Sequence, residues 1–202
     1  MNGVKWMEHI NQIIEQLNLE ASLTLEEMPQ IDLYMDQVIQ LFENKFTESK
    51  RNEDDKVLTK TMINNYAKGK LIFPIQNKKY SKEHLILMSL IYQLKGALSI
   101  NDIKVTLTGM NQKIIKEEID LDSFYTSYLN LTRQNVEDFK VDLEERVKDV
   151  NEEITEDKKG DSPYLKQVLM ISSLVHMSNL YRKVAEKLVD EITVEKEEKR
   201  HK

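Results

Sequence analysis

The apolar positions along the chain recur at three- and four-residue steps over most of its length, which predicts a succession of amphipathic helices. Trp6, Ile10, Ile13, Ile14 and Leu17 share one face of a helix over residues 4–17. Asp32 is a candidate N-cap for a second helix running to about Phe46, with Met35, Val38, Ile39, Phe42 and Phe46 inward. The polar run 47–56 predicts a loop. Thr59 then caps a short helix to Lys68, with Met62, Ile63 and Tyr66 on its apolar face and Gly69 stopping it in a left-handed conformation. Pro74 keeps Leu71–Ile75 out of a helix. Gln76-Asn77 turns the chain and Lys78-Lys79-Tyr80 returns it, a small two-stranded ribbon.

Ser81 opens the next helix (Leu85, Met88, Leu90, Ile91, Leu94), which Gly96 ends, and Ser99 opens a short one through Ile100, Ile103 and Leu107. From Asp122 to about Asp157 the seam Leu129, Thr132, Val136, Phe139, Leu143, Val147, Val150, Ile154 is narrow and charge-flanked, as in a coiled-coil contact. As one helix it would span roughly 54 Å. Lys158-Lys159-Gly160-Asp161 breaks it, and Ser162-Pro163 starts a last helix to about Thr193, followed by a frayed tail from Glu195. The last helix is apolar on so many sides, from Leu165 to Ile192, that the rest of the chain or a second copy must cover it.

Composition agrees with a mainly α chain: five Gly and three Pro in 202 residues are too few for the turns of a many-stranded fold. The absence of Cys excludes disulfides, thiolate metal sites and a cysteine nucleophile, and suits a cytoplasmic location. There is neither an apolar signal-peptide core at the N-terminus nor a run long enough to span a membrane. The net charge of −6 argues against nucleic acid until its distribution is considered. Residues 56–82 hold seven lysines and no acid, +7, which leaves −13 for the remainder. A basic segment concentrated in an acidic chain is what a phosphate-contacting module needs.

Opposite its apolar face, the helix begun by Thr59 offers Lys60, Thr61, Asn64, Asn65 and Lys68, and Lys70, Lys78 and Lys79 follow. Asn can pair bidentately with adenine, and Lys can reach guanine or phosphate. The run Thr59–Lys68, followed by Leu71-Ile72, Pro74 and Tyr80-Ser81-Lys82-Glu83-His84-Leu85, resembles the DNA-binding half of the MerR family, and Leu94–Lys104 is similar to that family's hinge. With Leu33-Tyr34-Met35-Asp36-Gln37-Val38, the chain resembles a narrower bacterial group, the MerR-like family of domain of unknown function 1836. The resemblance implies a winged helix–turn–helix with its recognition helix at 59–68, and a regulator of transcription that binds double-stranded DNA.

The expected organisation is an N-terminal helical segment (1–28), a winged helix–turn–helix domain (29–110) and a C-terminal helical hairpin (111–202) for dimerisation or effector sensing. A homodimer is expected, with no cofactor, no metal and no enzymatic activity. Phe124, Tyr125 and Tyr128 are candidates for an effector pocket, with core or dimer packing the alternative; the four His lack a paired spacing, and His84 and His176 read as structural. Asn64-Asn65 stands where the MerR family usually has Arg-Tyr, and the wing is short. These features leave open a protein-interaction adaptor that uses the winged fold without DNA.

Overall fold

A computed structural model describes residues 3–154 and 162–200. The order of elements is α1 (Gly3–Gln16), β1 (Leu33–Tyr34), α2 (Met35–Phe46), α3 (Lys60–Lys68), β2 (Lys79–Tyr80), α4 (Lys82–Leu94), α5 (Ile100–Ile115), α6 (Leu121–Glu153) and α7 (Ser162–Arg200). The protein is mainly helical, with a two-stranded antiparallel sheet that pairs Leu33 with Tyr80 and Tyr34 with Lys79. None of the described helices is long and apolar enough to cross a membrane. The chain divides into two compact units, one of residues 1–20 with 130–183 and one of 21–129 with 184–202.

The larger unit is built around α4. Every residue from His84 to Ile91 is buried, which explains why this helix is apolar on nearly all sides rather than along one stripe. Val38, Phe42 and Phe46 of α2, Ile63 and Tyr66 of α3, Ile103 and Leu107 of α5 and Leu121 and Tyr125 of α6 join its core. The loop between α2 and α3, opened by a 3-10 turn at Thr47–Ser49, is held by Glu43, whose carboxylate accepts from Lys50 Nζ and, at 3.0 Å, from the Val57 amide. Lys95 Nζ donates to the Val57 carbonyl at 3.1 Å, so Val57 is clamped from both sides.

The smaller unit joins α1 to the adjoining parts of α6 and α7. Trp6 and Ile10 pack with Leu143, Val147, Val150 and Met170. Arg146 to Ser173 (3.3 Å) and Lys166 to Asn151 (2.9 Å) give α6 and α7 an antiparallel register.

Several expectations are corrected. Asp32 is not the N-cap of α2; that position is Tyr34, whose amide donates to Gln37 Oε1 at 2.8 Å. The ribbon pairs differently: Leu71 and Ile72 are buried in the core, Pro74 lacks a donor, and the return strand Lys79–Tyr80 takes Leu33–Tyr34 as its partner. Between the two arms only the bridge Gln76–Lys79 remains, across a tight turn with Asn77 and Lys78 at φ 49° and 58°, the signature of a type I′ turn. Gly69 is right-handed (φ −72°), and Lys70 (φ 59°) makes the left-handed exit from α3. Helix α5 runs eight residues beyond Leu107, and α7 is helical through Arg200 rather than frayed from Glu195. Of the expected α6 seam only Leu143, Val147 and Val150 are fully buried. The expected break at Lys158–Asp161 and the side chain of Ser162 lie outside the described residues.

Candidate nucleic-acid interface

Helix α3 starts where its cap dictates: Thr59 Oγ1 accepts from the Met62 amide at 3.1 Å. Burial of Ile63 and Tyr66 then fixes the rotation of the helix, and Lys60, Thr61, Asn64, Asn65 and Lys68 are all exposed. Lys70 and Lys78 are exposed beyond it, each in a left-handed conformation. Lys79 is only half-exposed, with its ammonium 5.4 Å from the centre of the Tyr34 ring.

The eight residues chosen from the sequence thus all lie in the larger unit, on α3, its exit and the following turn. Sequence reasoning missed two neighbours. Tyr34 is 55% exposed and pairs with Lys79 through β1. Asp36, in the first turn of α2, places a carboxylate oxygen 2.7 Å from Lys60 Nζ. An acid in the first turn of a helix is visible in sequence, but its partner 24 residues away is not.

The segment from Phe73 to Ser81 is anchored through His84. Its ring stacks on Phe73 at 3.8 Å between centroids. The Ser81 amide can only donate, so His84 Nδ1 is the acceptor at 3.1 Å, and Nε2–H is directed at the Phe73 carbonyl at 3.3 Å. Burial pushes the imidazole below its ordinary pKa, partly opposed by the Phe73 carbonyl and the carboxylates of Glu83 and Asp32. The charge-free imidazole is therefore the resident form at neutral pH.

The three aromatic residues proposed for an effector pocket are divided. Tyr125 is buried, its hydroxyl donating to the Leu23 carbonyl at 2.7 Å and its ring 5.7 Å from that of Tyr128; Phe124 is exposed. A cleft of about 510 Å³ in the same unit is lined instead by residues that include Phe73, Lys82, Glu83 and Asp122. Among the described residues, no group of three or more His, Asp or Glu is placed to hold a metal ion.

The profile of the family described as Domain of unknown function (DUF1836) matches residues 23–128, just over half of the chain, and the protein belongs to that family. The match closely follows the larger unit up to the first turns of α6. No curated protein and no solved structure matches the chain.

Proposed function

We propose that the protein is a cytoplasmic transcriptional regulator whose larger unit is a MerR-like winged helix–turn–helix that reads duplex DNA, acting as a homodimer. The observation that carries this reading is the division of α3: Ile63 and Tyr66 buried, and Lys60, Thr61, Asn64, Asn65 and Lys68 all exposed on an acid-free helix. Such a helix has donors and acceptors for base edges, and Lys70 and Lys78 extend its positive field towards phosphates. The order strand, α2, α3, turn, strand, α4 supports the winged form, with Lys79–Tyr80 stitched to the strand that opens the domain.

Selection from a random duplex library, followed by titration of the selected sequence, tests the proposal. Asn64→Ala should weaken the selected site by about 5- to 150-fold and relax preference at one base, in line with ~1–3 kcal/mol for a bidentate contact. Lys78→Ala should weaken all duplexes alike and flatten the salt dependence by about one counterion. No duplex binding at low salt would refute it.

A second reading, an adaptor for an acidic protein partner, is favoured by the Asp36–Lys60 pair, which places a carboxylate beside the exposed face of α3. Capture of one stoichiometric protein partner, unaffected by nuclease and lost in Lys68→Glu, together with absent duplex binding, would select it.

A further inference from the structure

Helix α7 carries apolar residues on two distinct sides of its first half. Met170 and Leu174 face the core that α7 shares with α1 and α6, and Met170 is 3% exposed. Tyr164, Val168, Ile171 and Val175 lie roughly 110° round the helix from that pair at 3.6 residues per turn. Their exposures are 67%, 40%, 58% and 54%, and Leu165 and Leu169 widen the stripe. The only charged residue between Pro163 and Val175 is Lys166, and its ammonium is turned away to Asn151 of α6.

The spacing of the four residues, 4-3-4, is the same read in either direction. An antiparallel second copy therefore sets Tyr164 opposite the partner's Val175 and Val168 opposite the partner's Ile171, about one two-fold axis. This is the self-complementarity that an isologous interface demands, and no like charges meet across it. The six side chains expose on the order of 500 Å² of apolar surface, near the top of what a monomer usually leaves as one patch. With a polar rim that approaches the ~800 Å² per partner of a standard interface. The stripe lies beyond residue 128, outside the segment that defines the family.

We infer that this stripe is a self-docking surface, on which α7 of one copy packs antiparallel against α7 of a second. The inference identifies the surface of the proposed homodimer and is measured without DNA, so its failure and that of the DNA-binding reading are separable.

Sedimentation equilibrium of the full chain at high micromolar concentration should give twice the 23.8 kDa chain mass. Val168→Glu/Ile171→Glu should give the single-chain mass with unchanged far-UV circular dichroism. A wild-type monomer, or a dimer that survives the double substitution, overturns the inference. Because the chain has no cysteine of its own, register is tested separately with otherwise native chains. Val168→Cys mixed with Ile171→Cys should oxidise to a covalent dimer. Tyr164→Cys alone should not, since the two copies of that position lie roughly 16 Å apart along the helices, beyond disulfide reach. Cross-linking of Tyr164→Cys to itself, or none between the first two, would overturn the antiparallel arrangement even if the glutamate variant failed to fold.

Discussion

Asp36 Oδ1 stands 2.7 Å from Lys60 Nζ, tying the first turn of α2 to the first turn of α3. Both side chains are more than half exposed, so the pair contributes at most about 1 kcal/mol to stability. Its larger effect is on the local field: the carboxylate cancels one cation of the candidate recognition helix and repels phosphate. Asp36→Asn should therefore raise affinity for duplexes of arbitrary sequence several-fold at low salt. It should also steepen the salt dependence by about one counterion between roughly 50 and 200 mM salt. The urea midpoint should hardly move. Fluorescence anisotropy with an unrelated duplex checks this, and an unchanged salt slope would mean that Lys60 does not face the nucleic acid.

The exit from α3 predicts a pair of opposite stability changes. A Cβ on Gly69 would come 2.7 Å from Leu71 Cδ1 and 2.9 Å from the Asn65 carbonyl, and the carbonyl cannot yield without loosening the helix end. Gly69→Ala should cost about 1–3 kcal/mol. Lys70 occupies a left-handed conformation that an L side chain pays roughly 1 kcal/mol to adopt, so Lys70→Gly should stabilise the fold by about that much. It should simultaneously weaken duplex binding through the lost charge. Urea denaturation of the two variants reads both signs, and equal destabilisation would contradict the backbone account.

These two residues also show where sequence reading succeeds and where it stops. The start of α3 and its exposed face are legible because Thr59 caps three residues before Met62 and because Ile63 and Tyr66 set the period. The handedness at 69–70 is not, because glycine is favoured in the left-handed region while what excludes a side chain at Gly69 is Leu71, a tertiary neighbour. A two-residue strand such as Leu33–Tyr34 has no period to detect, and its pairing with Lys79–Tyr80 is set by tertiary contacts. The last turns of α5 escaped notice for a related reason. Thr106, Thr108 and Gly109 are poor helix formers, whereas Asn111, which donates to the Leu71 and Leu107 carbonyls, ties that stretch into the core.

His84 makes stability depend on pH in a definite direction. Burial holds its folded pKa below the ordinary value, so the unfolded chain takes up a proton first as pH falls. The stabilisation is complete above about pH 6.5 and is lost as pH falls through the depressed folded value. Protonation would remove the acceptor for the Ser81 amide and so loosen the link from α4 to the strand that precedes it. The urea midpoint should drop between about pH 7 and pH 5. Glutamine, which can still accept from the cap residue, is the control: His84→Gln should be less stable at neutral pH through the lost stack on Phe73 but much less sensitive over that range. An equal slope in the variant would assign the titration to other groups.

Tyr125 predicts the alkaline limb and decides between core and pocket. Its hydroxyl donates to the Leu23 carbonyl at 2.7 Å from a site 1% exposed, and burial pushes its pKa up to about 12. The unfolded phenol ionises near pH 10, so this residue's contribution is complete below about pH 10 and is lost as pH rises towards 12. Tyr125→Phe should cost about 1–3 kcal/mol at neutral pH, because it leaves the Leu23 carbonyl without its donor. It should also shrink the fall in stability above pH 10 and remove one late-ionising phenol from a spectrophotometric titration. A side chain lining an open effector pocket behaves otherwise: it ionises near 10, and its loss hardly moves the urea midpoint. Retained stability with an unchanged titration curve would return Tyr125 to the list of ligand-binding candidates.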